Sequence, residues 1–305
     1  MGDLAGHKAV ISVEIFPCAI CGSPLRSEVI VHLPNAHLRS CAACGSWTYL
    51  PRQNSPEQVA IHDTEDYFDH PYFELRRNAS PALLRRCRNI FNCLAEGMDI
   101  NALRGEQLLD VGCDTGVFLQ AAAQEFGIAP VGVDVSRRAI AAAQSRGIDA
   151  YASTIEGAPE HLRGFRVITA VDLIEHVADP AAFLREVRNR LRPGGVLYVE
   201  TPNAQSAVYR IGAILSRLTQ GRQAALLERL FPPQHIQYFT PASLAGLTRA
   251  AGLEAVRIGN RVLPWEDIAA SLPVRVAMSA MQAFDRWAKT EILIWAVLRR
   301  PISGS

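Results

Sequence analysis

The chain has 305 residues, which at about 150 residues per domain is room for roughly two domains. Hydrophobic residues make up 49% and charged residues 20%, an ordinary globular composition that excludes a disordered or collagen-like chain. Thirty-one basic residues against thirty acidic ones leave a formal charge of +1, so no global positive field draws the protein to nucleic acid.

At the N-terminus, residues 9–16 form a short apolar stretch interrupted by Glu14. It lacks the basic start, the longer apolar run and the cleavage site of a signal peptide. No run in the chain reaches the roughly 18 apolar residues of a membrane-spanning helix. The expected setting is cytoplasmic, with reduced thiols.

Cys18 and Cys21 stand in C-A-I-C-G, Cys41 and Cys44 in C-A-A-C-G, with nineteen residues between the pairs. Each pattern puts two thiolates on one tight turn, where the glycine permits positive φ. Residues 27–33 alternate and are rich in β-branched side chains, and Pro34-Asn35 offers a turn. The resulting hairpin brings two knuckles into one four-thiolate site suited to zinc. Disulfide pairing and a redox-active C-x-x-C are the alternatives, and both suit a reducing compartment with two matched knuckles less well. Residues 1–50 therefore read as a zinc ribbon in which the Zn2+ is structural, because so few residues cannot bury a sufficient core. Cys87, Cys93 and Cys113 have no partner at metal spacing and read as small buried hydrophobes.

Residues 51–105 read as a helical connector or cap. They carry the aromatic cluster Tyr67, Phe68, Tyr72 and Phe73, then an apolar helix over 82–94 with Leu83, Leu84, Cys87, Ile90, Phe91 and Leu94 at helical spacing. The aromatic cluster either packs on a neighbouring domain or crosses and closes a cofactor pocket.

From Gln107 to about residue 260, short apolar runs alternate with helical segments, the pattern of a parallel sheet with crossover helices. Strands are predicted at 108–111, 131–134, 150–151, 167–171 and 196–199, with helices at 117–126, 136–145 and 181–191. A glycine turn, Gly112 to Gly116, follows the first strand. Asp134 ends the second strand, where it can accept both hydroxyls of a ribose. Ligands of such sheets bind beyond the carboxyl ends of the strands, so the pair implies a nucleoside-containing cofactor. A nicotinamide loop would read G-x-G-x-x-G, but here Asp114 stands in place of the middle glycine. Beside a pyrophosphate that carboxylate would be repulsive, whereas it suits an ammonium group.

The runs L-L-D-V-G-C-D-T-G-V-F-L, V-G-V-D-V-S, V-D-L-I-E-H-V-A-D-P and L-R-P-G-G-V-L-Y-V-E-T-P-N resemble the class I S-adenosylmethionine-dependent methyltransferases, and within them the ubiquinone-biosynthesis-like branch acting on small molecules. The resemblance spans roughly residues 107–256. It implies a doubly wound, Rossmann-like, mostly parallel α/β sheet of seven strands. It also implies S-adenosyl-L-methionine as cofactor. Asp110, Gly112, Cys113, Asp114 and Gly116 would form the cofactor loop, Asp134 and Val135 would hold the ribose, and Thr154, Ile155 and Glu156 would flank the adenine. Asp172 would line the pocket near the donor. Two departures stand out: Asp114 replaces the second loop glycine, and Phe165-Arg166 replaces the usual F-D before the fourth strand.

Methyl transfer from a sulfonium requires mainly alignment of a nucleophile and exclusion of water, with a general base where the acceptor is a hydroxyl or an acidic carbon. The candidates are Glu175 and His176 in I-E-H-V, and His235 with Tyr238 in P-P-Q-H-I-Q-Y-F-T. The plainer reading is that His176 hydrogen-bonds the backbone of the next loop and His235 fixes its own loop. Residues 204–232 form a helical insertion, either a surface hairpin packed on the sheet or a lid whose apolar face meets the substrate. Residues 261–305 read as a helical tail carrying Trp265, Trp287 and Trp295, suited to packing, homodimer contact or peripheral membrane contact.

Three functions are compatible with these features. The first is methyl transfer to an oxygen or carbon of a small-molecule acceptor such as a natural product, glycan or lipid-linked precursor. The second is an RNA methyltransferase gripping nucleic acid with the ribbon. Against it, Lys8, Arg26 and Arg39 are balanced by Asp3, Glu14 and Glu28, and the N-P-P-[FY] tetrapeptide of base-amino methylation is absent, Thr201-Pro202-Asn203 taking its place. The third is a non-catalytic binding protein, disfavoured by the intact Asp110, Gly112, Gly116 and Asp134 set.

Overall fold

The computed structural model describes residues 16–51, 80–262 and 272–302. Tyr67, Phe68, Tyr72, Phe73 and Trp265 lie outside the described residues.

Three short strands open the fold: β1 (Leu25–Leu33), β2 (Ala36–Cys41) and β3 (Trp47–Leu50). β1 and β2 pair antiparallel around the expected Pro34-Asn35 turn, and β3 pairs with β2. Helix α1 (Pro81–Leu94) follows, capped by the Ser80 hydroxyl, which accepts from the Leu83 N–H. Its apolar stripe, Cys87, Ile90, Phe91 and Leu94, is buried as the i, i+3, i+4 spacing requires.

The central sheet is built from β4 (Gln107–Val111), β5 (Ala129–Asp134), β6 (Asp149–Ala152), β7 (Phe165–Val171) and β8 (Leu191–Pro202), all parallel. The crossovers are α2 (Val117–Phe126), α3 (Arg137–Ser145) and α4 (Pro180–Arg190). Leu108 and Leu109 are both fully buried, one on each face of the sheet. Such two-sided burial is what a near-continuous apolar run in a parallel strand serves. Ser136 caps α3 by accepting from the Ala139 N–H.

After β8 come α5 (Ala207–Thr219) and α6 (Ala224–Leu230), a two-residue strand β9 (Gln237–Tyr238), α7 (Pro241–Ala250), β10 (Glu254–Arg261), α8 (Leu272–Ala288) and β11 (Leu293–Arg299). The seven strands of the large sheet run in the order β10-β11-β8-β7-β4-β5-β6. β11 is antiparallel to both neighbours. β5 and β6 lie on one side of β4 and β7 and β8 on the other, so the order of crossing reverses between β4 and β7, a switch point that opens a crevice above the carboxyl ends of the strands.

The expected all-helical tail is corrected here. The run L-I-W-A-V-L is a strand wedged between β8 and β10, buried from Leu293 to Leu298. A short run that is apolar all round carries no periodicity to tell a buried strand from a helix. Trp295 lies in that core and Gly259 makes room for it, since a Cβ there would stand 2.6 Å from the indole. Trp287 is exposed on α8. No helix of the described residues is long and apolar enough to cross a membrane.

The boundary expected at residue 50 is also crossed. β9, nearly two hundred residues downstream, joins the small sheet as its fourth strand in the order β1-β2-β3-β9. The 204–232 insertion buries Tyr209, Leu227 and Phe231 with Val31, Leu38 and Tyr49 of that small sheet, rather than packing on the large one. Ser216 on α5 seals the contact, accepting from the His32 N–H (2.6 Å) and donating to the His32 carbonyl (3.1 Å).

Candidate active site and four-cysteine centre

The turn after β4 carries three residues in the left-handed region: Gly112 (φ 77°), Asp114 (φ 48°) and Gly116 (φ 75°). At Gly116 the requirement is packing as much as ligand approach, because a Cβ would stand 2.3 Å from Ile148 Cδ1 and 3.1 Å from Ala143. The Asp134 carboxylate braces this turn. Oδ2 accepts from the Asp114 N–H at 3.0 Å and Oδ1 from the Ser136 N–H at 2.9 Å. Each oxygen keeps a further lone pair, the acceptor set that a ribose diol needs. Burial raises the Asp134 carboxyl to about 6, opposed by its backbone hydrogen bonds. Segments 110–116 and 134–136 contain no lysine or arginine, so the turn suits a ligand with an ammonium and a diol rather than a pyrophosphate.

Asp110 and Cys113 face away from such a ligand. Asp110 is buried and accepts from the Thr169 hydroxyl at 2.6 Å, tying β4 to β7. Cys113 packs its sulfur towards Gly132, whose Cβ would lie 2.6 Å from it, and burial pushes its thiol well up. Burial likewise raises the Asp110 carboxyl to about 7, with Thr169 pulling it down. An unfolded aspartate titrates near 3.9, so the folded state holds an extra proton between about pH 4 and 7. The contribution is fully present below the unfolded value and is lost as pH rises through 7. Asp110→Asn keeps an oxygen for Thr169 but cannot ionise. Its Tm is therefore expected to gain on that of the wild type as pH goes from 5 to 8. A Tm difference that stays flat across that range would count against a neutral Asp110.

Val135 is half-buried beside Asp134. In the segment after β6, Thr154 and Glu156 are exposed and Ile155 is buried. A residue not singled out from the sequence holds this segment. The buried Arg190 guanidinium donates to the carbonyls of Ile155 (3.1 Å), Ala158 (3.0 Å), Pro159 (2.7 Å) and Leu162 (3.2 Å).

At the ends of β7 and β8 a second missed group converges. Glu200 is fully buried and accepts from the Tyr198 hydroxyl (2.7 Å), Arg86 Nη2 (2.8 Å) and Arg261 Nη2 (2.8 Å). Arg86 Nη2 also donates to Asp172 Oδ2 at 2.7 Å. Asp172, held at φ 52°, thus sits at the sheet end where it was expected, but tied to α1. The signal available in the sequence was a carboxylate inside an apolar strand, Y-V-E-T, which cannot be buried without cations.

Glu175, His176 and His235 come together, with ligand atoms within 4.8 Å of one another. Glu175 is fully buried. Its Oε2 accepts from the Thr201 hydroxyl at 2.9 Å, while Oε1 has no hydrogen-bond partner. Burial first, then the charge of Asp172, raises its carboxyl to about 8, so at neutral pH it is mostly protonated. His176 Nδ1 meets the Gln234 carbonyl at 2.8 Å, the loop-fixing contact anticipated as the plainer reading. The His235 ring stands edge-on to His176, centroids 4.8 Å apart. Tyr238 belongs elsewhere: it is fully buried among Trp47, Tyr209 and Phe231, on the side facing the small sheet. Its ring position behind His235 (5.8 Å) supports the loop, not a reacting atom.

The four N-terminal cysteines also converge. Cys18 and Cys44 sulfurs are 3.8 Å apart and those of Cys21 and Cys41 3.5 Å. Ligands 2.3 Å from a tetrahedral metal lie about 3.8 Å apart. The two knuckles are built alike, with Gly22 N–H donating to the Cys18 carbonyl and Gly45 N–H to the Cys41 carbonyl. Cys18 and Cys44 share one sulfur–sulfur hydrogen bond, which lowers the Cys18 thiol and, with burial, raises that of Cys44. None of the seven cysteines is in a disulfide. Cys87 is buried as expected and Cys93 half-buried.

Comparison with known proteins adds the following. A family model described as a methyltransferase domain matches residues 77–258. The ubiquinone biosynthesis O-methyltransferase of Xylella fastidiosa is 31% identical over 176 residues, covering 54% of this chain and 68% of that protein. The enzyme of the same name from Aromatoleum aromaticum is 29% identical over 172 residues, covering 53% and 70%. The chain thus spans about two thirds of the length of these relatives, and they match about half of it. Among solved structures, Haemonchus contortus phosphoethanolamine N-methyltransferase 2, in complex with phosphomonomethylethanolamine and S-adenosylhomocysteine, aligns with a TM-score of 0.57 at 14% identity, covering 84% of this chain and 62% of that one. A methyltransferase dependent on S-adenosylmethionine from Archaeoglobus fulgidus aligns with a TM-score of 0.52 at 17% identity, covering 77% and 100%. At these identities the structural likeness concerns the fold.

Proposed function

Because this chain belongs to the class I S-adenosylmethionine-dependent methyltransferases, we propose that it methylates an oxygen of a small-molecule biosynthetic acceptor, with His235 as the general base. The single observation that carries this reading is the imidazole pair His176 and His235 at the carboxyl ends of the parallel strands, next to a turn suited to a nucleoside. S-adenosylmethionine, when bound, supplies a sulfonium-activated methyl group. Asp134 holds the ribose hydroxyls through the lone pairs left by its two backbone contacts, with Val135 beside it. The turn at Gly112, Cys113 and Gly116 supplies backbone, and Asp114 faces the ammonium end. Thr154, Ile155 and Glu156 flank the base on a segment held by Arg190. Asp172 closes the donor side, and Asp110 braces the turn from beneath.

His235 takes the acceptor's hydroxyl proton. His176 positions it by holding the Gln234 carbonyl, and the protonated Glu175 fixes the turn beneath through Thr201. Cys18, Cys21, Cys41 and Cys44 hold a structural Zn2+. The oxygen acceptor follows the relatives' names, which are those of O-methyltransferases.

The test is incubation with methyl-tritiated S-adenosylmethionine against two pools, a panel of catechols and hydroxylated glycosides, and total RNA. Label is expected in the first pool as an oxygen-linked methyl group. His235→Gln is expected to slow transfer by about 10²-fold or more, with affinity for S-adenosylhomocysteine unchanged. Label confined to RNA, with the steep salt dependence of phosphate contacts, would contradict the proposal.

A further inference from the structure

The segment from Pro232 to Thr240, which carries His235, is clamped between two bodies. On the side of the large sheet, the Ile236 N–H donates to the Glu175 carbonyl (3.0 Å), and the Phe239 carbonyl accepts from the Ala204 N–H (2.8 Å). On the side of the cysteine ribbon, the Tyr49 N–H donates to the Ile236 carbonyl (3.0 Å). Trp47 and Thr48 pair antiparallel with Tyr238 and Gln237. The Thr48 hydroxyl donates to Gln237 Oε1 at 3.2 Å, and the Thr240 hydroxyl donates to the carbonyl of Cys44 at 3.0 Å. Cys44 is itself one of the four clustered cysteines. Ile236 therefore spends its N–H on the catalytic turn and its carbonyl on the ribbon.

We propose that the metal-bound ribbon is the positioning element for His235, so that loss of the metal frees the 232–240 loop without dismantling the cofactor half of the domain. This inference rests on the reading of His235 and of the cysteine site given above. A ribbon of 36 described residues (16–51) has too little core to hold its shape alone. The metal ties the Cys41–Cys44 knuckle, that knuckle leads directly into β3, and β3 is the strand to which β9 is hydrogen-bonded. The turn of Asp114 and Asp134 shares none of these contacts. Thr48 and Thr240 are thus positioning residues, acting through backbone placement.

The test uses the full chain with zinc bound and then stripped by a chelator after thiol blocking, with three readouts: zinc content, amide exchange of the 232–240 peptide, and affinity for S-adenosylhomocysteine. On metal loss, exchange over 232–240 is expected to rise about tenfold or more, together with carbethoxylation of His235 seen by mass spectrometry. Affinity for S-adenosylhomocysteine should stay within threefold. Thr48→Val, which keeps zinc and strand shape but removes the hydroxyl, is expected to give part of the same rise, and Thr48→Ser to reverse it. Unchanged exchange at 232–240 in the stripped protein would overturn the proposal. So would a rise shared by every peptide together with loss of binding. Failure of the zinc-loaded protein to bind S-adenosylhomocysteine at all would instead refute the cofactor reading and leave the linkage to be judged on exchange alone.

Discussion

Glu200→Ala is expected to destabilise the protein by about 3–5 kcal/mol, the usual cost of removing one partner from a buried ion pair. Glu200 has no exposed surface, and Tyr198, Arg86 and Arg261 all donate to it. Without it Arg86 still has Asp172. Arg261 is left with no acid among its described contacts, and its Nε and Nη1 already lack hydrogen-bond partners. The Tyr198 hydroxyl, equally buried, loses its acceptor. At roughly 2–4 °C per kcal/mol for a chain of this size class, the Tm should fall by about 10 °C. Glu200→Gln keeps an acceptor and should lose less. The double variant Glu200→Ala, Arg261→Met should recover part of the loss, because an uncompensated buried cation costs more than an apolar replacement. A Tm for Glu200→Ala within 2 °C of the wild type would show that the network contributes nothing net.

The same network shows which parts of the fold were legible. The parallel strands, the glycine turn and the acid at the end of β5 follow from local patterns, since each is a short run whose burial or backbone angle is set by its own residues. The Pro34-Asn35 hairpin and the cysteine knuckles are local in the same sense. β11 was not legible because a run such as L-I-W-A-V-L is apolar on every face, and its role depends on the open edge between β8 and β10. Nor was β9: two residues carry no period, and their pairing with Trp47 and Thr48 joins segments far apart in the chain. Arg86, Glu200 and Arg261 come from three separate elements, so no spacing in the sequence announces them. Tyr238 was misplaced for a related reason. Three residues after His235, with its ring 5.8 Å from the imidazole, it is fully buried in the aromatic cluster of the small sheet, which no local spacing announces.

Asp134 carries the central claim, that the turn after β4 and the end of β5 form the S-adenosylmethionine site. Its carboxylate braces Asp114 and Ser136 with one lone pair on each oxygen and has one left on each for a ribose diol. Hydrogen bonds to a charged acceptor are each worth about 1.5–3 kcal/mol, so losing both should weaken binding by about 10²-fold or more at 1.4 kcal/mol per factor of ten. Alanine also removes the acceptor of the Asp114 and Ser136 N–H groups, and a buried donor left unpaired costs about 1–3 kcal/mol, so a lower Tm is expected alongside the loss of binding. Asp134→Asn, which keeps one oxygen, should fall between wild type and Asp134→Ala. The most direct measurement is a calorimetric titration of S-adenosylhomocysteine into the wild type and Asp134→Ala, with the Tm of each recorded alone. Binding by the wild type, and a loss of about 10²-fold in a variant whose own Tm shows it folded at the titration temperature, is the result expected. Equal affinity in the two proteins would contradict it.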